Sequence, residues 1–202
     1  MNVQNWKDKM SEEIRTRILD AAEARFRSYG FGKTTMAEIA SDIDMSTANL
    51  YRYFENKVAI GSAMASRCIC DRETILKEVV GREGITSSER LEIFVLAMLD
   101  YMHGQFSNEP KLSELVDVMT QKCPGLVQDH INSDKQLIKE ILQQGVECNE
   151  FTVNDVDEMS SYVQAAIVKF SSPFFIAMFP VEELKRLAKG VVLLILNGLI
   201  KK

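Results

Sequence analysis

The chain has 202 residues, 46% hydrophobic and 26% charged, with a net charge of −5. This is the balance of a folded globular protein and argues against a disordered or collagenous chain. The longest apolar stretch, residues 187–199, is interrupted by Lys189 and Asn197 and is too short for a bilayer span, which needs about 20 apolar residues. The first nine residues lack the apolar segment of a signal peptide, so a cytoplasmic protein is expected.

With 4 Pro and 10 Gly, and long stretches of Leu, Ile, Met, Glu, Lys and Ala, the composition favours helices. Ile14, Ile18, Ala21, Ala22, Arg25 and Phe26 recur three and four apart, which predicts an amphipathic helix over 12–29 that Gly30 terminates. Thr35 with Glu38 forms a capping-box pattern opening a second helix through 43. Ser46 caps a third over 47–54, and Glu55-Asn56 leads into a fourth over 57–80.

Thr86 with Glu89 repeats the capping box and predicts a helix to about 106. Pro110 suits a first helical turn, and Pro124-Gly125 breaks the chain before a helix over 126–147. Asn154 is the expected cap of the next helix, which Pro173 kinks or ends, and Pro180 precedes a last helix over 181–200. The fold class is therefore all-α, with about nine helices and no convincing strand.

Residues 36–54 satisfy the requirements of a helix-turn-helix. Ile39 and Ile43 face inward on the first helix, and Ala40 sits where the helices must cross closely. Asp44 occupies the turn position that needs a left-handed backbone. Met45, Leu50 and Phe54 are the remaining inward anchors. The outward residues Thr47, Asn49, Arg52 and Tyr53 are of the types that reach base edges and phosphates. An αα-hairpin with a merely solvated outer face fits the same spacing. Charge does not decide between them, since residues 1–57 hold nine basic and nine acidic residues.

The run Phe26-x-x-x-Gly30-Phe31-x-x-Thr34-Thr35-x-x-x-Ile39-Ala40, followed by Met45-Ser46-x-x-x-Leu50-Tyr51-x-x-Phe54-x-x-Lys57, resembles the DNA-binding domain of the TetR (tetracycline-repressor-like) family. The resemblance covers about residues 12–60; the rest matches the family only in helix number, length and ending. It implies an N-terminal arm and DNA-binding domain over 1–57 and an effector-binding and dimerisation domain over 58–202. It further implies that Thr35 donates to a phosphate, and that Ser46, Thr47, Ala48, Asn49 and Arg52 lie at the groove-facing recognition helix. Tyr51 and Tyr53 would hold the DNA backbone and Lys57 would meet a phosphate. The family's turn glycine is Asp44 here, a later glycine is Ala48 and the usual histidine is Tyr53, so no family operator sequence is carried over.

The larger part has no catalytic grouping. His103 and His130 lack a Ser or Cys partner at recognisable spacing, and no Gly-rich phosphate loop occurs. Cys68, Cys70, Cys123 and Cys148, with the two histidines, lack the paired spacing of a metal site and are expected to be reduced, buried thiols; no metal or cofactor is expected.

Met98, Tyr101, Met102, Phe106, Met119, Phe170, Phe174 and Met178 are candidate lining for a small apolar or aromatic effector, with Tyr101 or His103 as polar handle. Core packing is the competing reading for each. The last helix is apolar around much of its circumference. Met159, Val163, Ile167, Leu187, Val191, Leu194 and Ile195 are therefore the expected seam of a four-helix bundle in a homodimer.

The sequence thus points to a repressor bound to double-stranded, pseudo-palindromic operator DNA and released by its effector. The alternative is a ligand-binding or interaction protein of this fold that has lost DNA binding.

Overall fold

A computed structural model describes residues 3–107, 109 and 111–200. The expected helices are present, in the order α1 (Val3–Tyr29), α2 (Met36–Asp42), α3 (Thr47–Leu50), α4 (Lys57–Val80), α5 (Ser87–Phe106), α6 (Leu112–Lys122), α7 (Pro124–Glu147), α8 (Val156–Ser171), α9 (Pro173–Met178) and α10 (Val181–Leu199). Among the described residues the only β feature is an isolated antiparallel bridge between Phe151 and Ile200. The expectation for Pro110 lies outside the described residues.

Local capping sets most of the boundaries. Both predicted capping boxes form: Thr35 with Glu38, and Thr86 with Glu89. Ser46 accepts from the Asn49 amide, and Asn56 Oδ1 accepts from the Ala59 amide ahead of α4. Gly30 ends α1 at φ 91°.

Four boundaries differ from expectation. Helix α1 begins well before residue 12, because residues 3–11 contain no Gly or Pro to stop it. Helix α3 is shorter than 47–54; after Leu50 the backbone tightens, with Arg52 N–H donating to Asn49 O and Tyr53 N–H to Leu50 O. The cap of α8 is Asp155, whose carboxylate accepts from the Glu158 amide, and not Asn154. Pro173 ends α8 but also starts the short α9, since its fixed φ suits a first helical position.

Two compact units emerge, and their division differs from the expected boundary at 57/58. One comprises Met1–Cys68 with Glu109–Leu126; the other comprises Ile69–Asn108 with Val127–Lys202. The first is built on Ile18, Ala22, Phe26, Ile39, Ala40, Leu50, Phe54 and Ile60, all buried. Helix α6 belongs to it, with Leu115 and Met119 seated over the bare backbone of Gly61 and against Phe31.

In the second unit α5 is the central helix, packed by α8, α9 and α10. Its core includes Phe94, Met98, Leu99, Ile138, Ile141, Val163, Ile167, Phe170 and Val192. The Phe151 ring lies on Gly145 of α7, where an added Cβ would stand 2.1 Å from the ring. The thiols are not all buried as expected: Cys70 and Cys148 are exposed, while Cys68 and Cys123 are half-buried.

Candidate nucleic-acid interface

The helix-turn-helix is held by short-range bonds that its own residues supply. Asp44 adopts φ 55°, the left-handed geometry the turn requires. Ala40 O accepts from both Ile43 N (3.3 Å) and Met45 N (2.9 Å), closing α2 into the turn. Ala40, fully buried, leaves room for α3 to cross. Ile43 and Met45 are half-buried rather than fully inward, so Ile39, Leu50 and Phe54 carry most of the packing.

At the start of α3 the Ser46 cap sets the outer face. Ser46, Ala48, Tyr51 and Arg52 are exposed, whereas Thr47, Asn49 and Tyr53 are half-buried. The exposed short side chains of Ser46 and Ala48 stand at the start of this helix together with the exposed cation Arg52.

Two residues expected to contact phosphate have partners within the protein. Thr35 Oγ1 donates to Glu38 Oε2 at 2.8 Å, so its hydroxyl proton is committed to the capping box rather than free for a phosphate. The Lys57 ammonium donates to three backbone carbonyls, Phe31 O (2.5 Å), Thr34 O (2.6 Å) and Gly32 O (3.3 Å), and lies 4.5 Å from the centre of the Phe31 ring. Desolvation lowers its pKa, opposed by Glu114 and Glu38. Lys57 therefore ties the first turn of α4 to the loop ahead of α2; all three of its protons are directed inward.

Several positioning residues have no counterpart in the motif. Arg25 of α1 binds Asp42 through Nε (2.5 Å) and Nη2 (2.8 Å) and reaches Glu38 at 3.3 Å. This neutralises two carboxylates of α2 that would repel DNA phosphates. Arg15 donates to Tyr53 O at 2.9 Å and lies over the Phe54 ring, and Arg17 donates to Ile43 O. Glu114 of α6 accepts from Gly32 N at 3.0 Å, and Lys111 donates to Ser28 O. The available signal was modest: Arg25 recurs at the spacing of the α1 apolar stripe, where a charge implies a partner.

The predicted effector residues do not form one set. Met98 and Phe170 are buried in the core of the second unit, as is Met102, with Tyr101 and Phe106 packed at its edge. Met119 lies in the other unit, against Gly61. Phe174 and Met178 are exposed, because α9 presents only Ile176 to the core. An open pocket of about 540 Å³ is lined by His103, Ser107 and Ile176 to Val181, so it includes Met178 and one of the two expected polar handles.

The predicted dimer seam is also redistributed. Val163 and Ile167 are buried in the protomer's own core, while Met159, Leu187, Val191 and Ile195 are partly buried against that core. Leu194 is 73% exposed and is joined by Leu193 on α10 and by Tyr162, Ala165 and Ala166 on α8.

Comparison with known proteins agrees with this architecture. The model of the tetracyclin repressor-like C-terminal domain matches residues 87–192, and that of bacterial regulatory proteins of the tetR family matches residues 18–64. The chain belongs to the TetR family of transcriptional regulators. Among its relatives, it is 23% identical over 143 residues to the probable acrEF/envCD operon repressor of Escherichia coli (strain K12), a match covering 66% of this chain. The chain spans 63% of that relative's length.

Its fold is that of a putative TetR-family regulator from Mesorhizobium loti, with a TM-score of 0.73, 18% identity, and coverage of 95% of this chain and 98% of that one. It is also that of SmeT in a complex with triclosan, with a TM-score of 0.65, 17% identity, and coverage of 93% and 92%. No helix among the described residues is long and apolar enough to cross a membrane.

Proposed function

We propose that this regulator is a cytoplasmic homodimeric repressor that binds a pseudo-palindromic operator and is released by a small apolar or aromatic effector. The observation that carries the DNA-binding reading is the α2–turn–α3 unit. Its left-handed Asp44 and Ser46 cap present Ala48, Arg52 and the half-buried Thr47 and Asn49 on one outer face. In this reading the helix start enters the major groove and Asn49 and Arg52 meet base edges.

Homodimerisation is supported by the exposed Leu193 and Leu194, flanked by Gly190 and Gly198, which add no bulk, and by the exposed face of α8. A second copy related by a two-fold axis covers the same surface on both protomers. The dimer spaces its recognition helices about 34–36 Å apart for successive major grooves. Helix α4 contributes its first half to one compact unit and its second half to the other, so a shift in the effector-binding unit is passed on covalently. A coupling of ~1–3 kcal/mol weakens operator binding ~5–150-fold. That SmeT holds triclosan supports an apolar or aromatic effector for a chain of this fold.

The test is a salt titration of binding to the DNA flanking the chain's own gene. A steep loss of affinity with salt, confined to one site in footprinting, is expected. Weak binding indifferent to sequence would instead favour a protein of this fold that no longer reads DNA.

A further inference from the structure

Arg72 of α4 is an unusual residue for the interior of the second unit. It is 2% exposed, yet it recurs at inward spacing with Leu76 and Val79. Its Nη2 donates to Asp134 Oδ1 at 2.6 Å and lies within 2.9 Å of the His130 ring nitrogens on α7. The rest of the guanidinium is poorly served. Nε has no partner, and Nη1 meets only the thioether sulfur of Met102 on α5, at 3.9 Å. A guanidinium buried with part of its donor set against a sulfur forfeits hydrogen bonds that water would have supplied.

Exposure falls along the cluster: the side chains of His130, Asp134 and Arg72 are 22%, 12% and 3% exposed. His130 therefore stands on the solvent side, Arg72 lies deepest, and the adjoining wall is a methionine, the side chain most easily moved without loss of packing.

Resting on the effector-binding reading above, we propose that the ligand of this chain is an acid-bearing apolar molecule. Its carboxylate or equivalent anion takes the Nε and Nη1 protons of Arg72 as Met102 swings aside, and its tail lies among the apolar side chains of α5 and α8. A point cation would not suit this place as well as a planar guanidinium with several fixed donors. Asp134 already balances Arg72, so the incoming anion needs a second positive charge. His130 supplies it by taking a proton from solution.

In the free protein, burial, followed by the neighbouring Arg72, lowers the His130 pKa, against the opposing pull of Asp134 and Glu73. Glu73 is itself bound to Lys77 and Ser133. His130 is accordingly neutral near pH 7 before the anion arrives and is raised by it.

The probes are sodium decanoate, decan-1-ol and decylamine, which share one tail and differ in headgroup. Calorimetry and thermal denaturation of the full chain should show decanoate binding and stabilising, with decanol and decylamine at least tenfold weaker. Arg72→Met should weaken decanoate by about tenfold or more, and should leave decanol unchanged. Arg72→Met alone leaves the buried Asp134 carboxylate without its partner and is expected to lower stability, so the double variant Arg72→Met/Asp134→Leu, which removes the pair, is measured beside it; Arg72→Lys, which keeps the charge but not the fork, should also weaken decanoate.

The measured decanoate enthalpy should depend on the buffer's ionisation enthalpy, and that dependence should vanish in His130→Asn. Equal affinity for decanoate and decanol, failure of decanoate to bind, or an unchanged decanoate affinity in Arg72→Met would overturn the assignment. Buffer-independent binding would remove His130 from it. Operator release is read separately: decanoate that binds through Arg72 but leaves the protein on DNA keeps this site and refutes the effector reading.

Discussion

Replacing Lys57 by methionine separates a structural tie from a phosphate contact. The substitution keeps the apolar stem and removes the ammonium from Phe31 O, Thr34 O and Gly32 O. Hydrogen bonds to a charged group contribute about 1.5–3 kcal/mol each, and two of these three are short. The cation over the Phe31 ring adds about 0.5–1 kcal/mol. The site is only half-buried, and water can replace part of what is lost, so the expected loss is about 2–4 kcal/mol.

That is a substantial fraction of a typical ~5–15 kcal/mol stability. Urea denaturation followed by circular dichroism measures it directly. Operator affinity should fall with the disordering of the loop ahead of α2, while the slope of log affinity against log salt stays at the wild-type value. A phosphate contact predicts the opposite pattern, because each lost phosphate lowers the slope by about 1. Wild-type stability together with a reduced slope would refute the tie and restore the phosphate role.

Leu194→Arg should leave the protomer folded, since this side chain is 73% exposed, but should give monomer in sedimentation; a dimer of unchanged strength places the seam elsewhere. Gly145→Ala gains about 1 kcal/mol of helix propensity but drives a methyl to 2.1 Å from the Phe151 ring. That ring is anchored by Phe151 N–H to Gly145 O at 2.9 Å, so a net loss of about 1–3 kcal/mol is expected in thermal unfolding, and a stabilised variant would show that the ring moves freely. The Asp157 carboxylate, bound by Lys135 and Lys139, is lowered to about 2. Its folded pKa lies below the unfolded value, so its contribution is present at neutral pH and is lost as pH falls from about 4 toward 2. Carbon-detected NMR should find its midpoint near 2, rising in Lys135→Ala.

His130 obeys the same sign. Its lowered pKa means that the unfolded chain binds more protons, so stability falls as pH drops below about 6.5. A His130→Asn variant should lose that part of the acid sensitivity in denaturation curves at successive pH values.

What the sequence by itself determined is local. Thr35 with Glu38, Ser46, Thr86 with Glu89, Gly30 and Asp44 each act on backbone groups within four residues, so their spacing is enough to place helix ends and the helix-turn-helix. The family motif over residues 18–64 lies in the same short-range region.

The tertiary structure alone decided which partner each side chain meets across long separations. Lys57 finds carbonyls 23–26 positions away, Glu114 reaches Gly32 across 82, and Arg72 reaches Asp134 across 62. Periodicity marked Val163, Ile167 and Leu194 alike as apolar and in phase. On α10, apolar around much of its circumference, phase does not say which side meets the protomer's own core, and the single apolar stripe of α8 fits that core as well as a partner. Packing gave Val163 and Ile167 to that core and left Leu194 outside, and by the same process placed Met119 in the first compact unit and Phe174 at the surface.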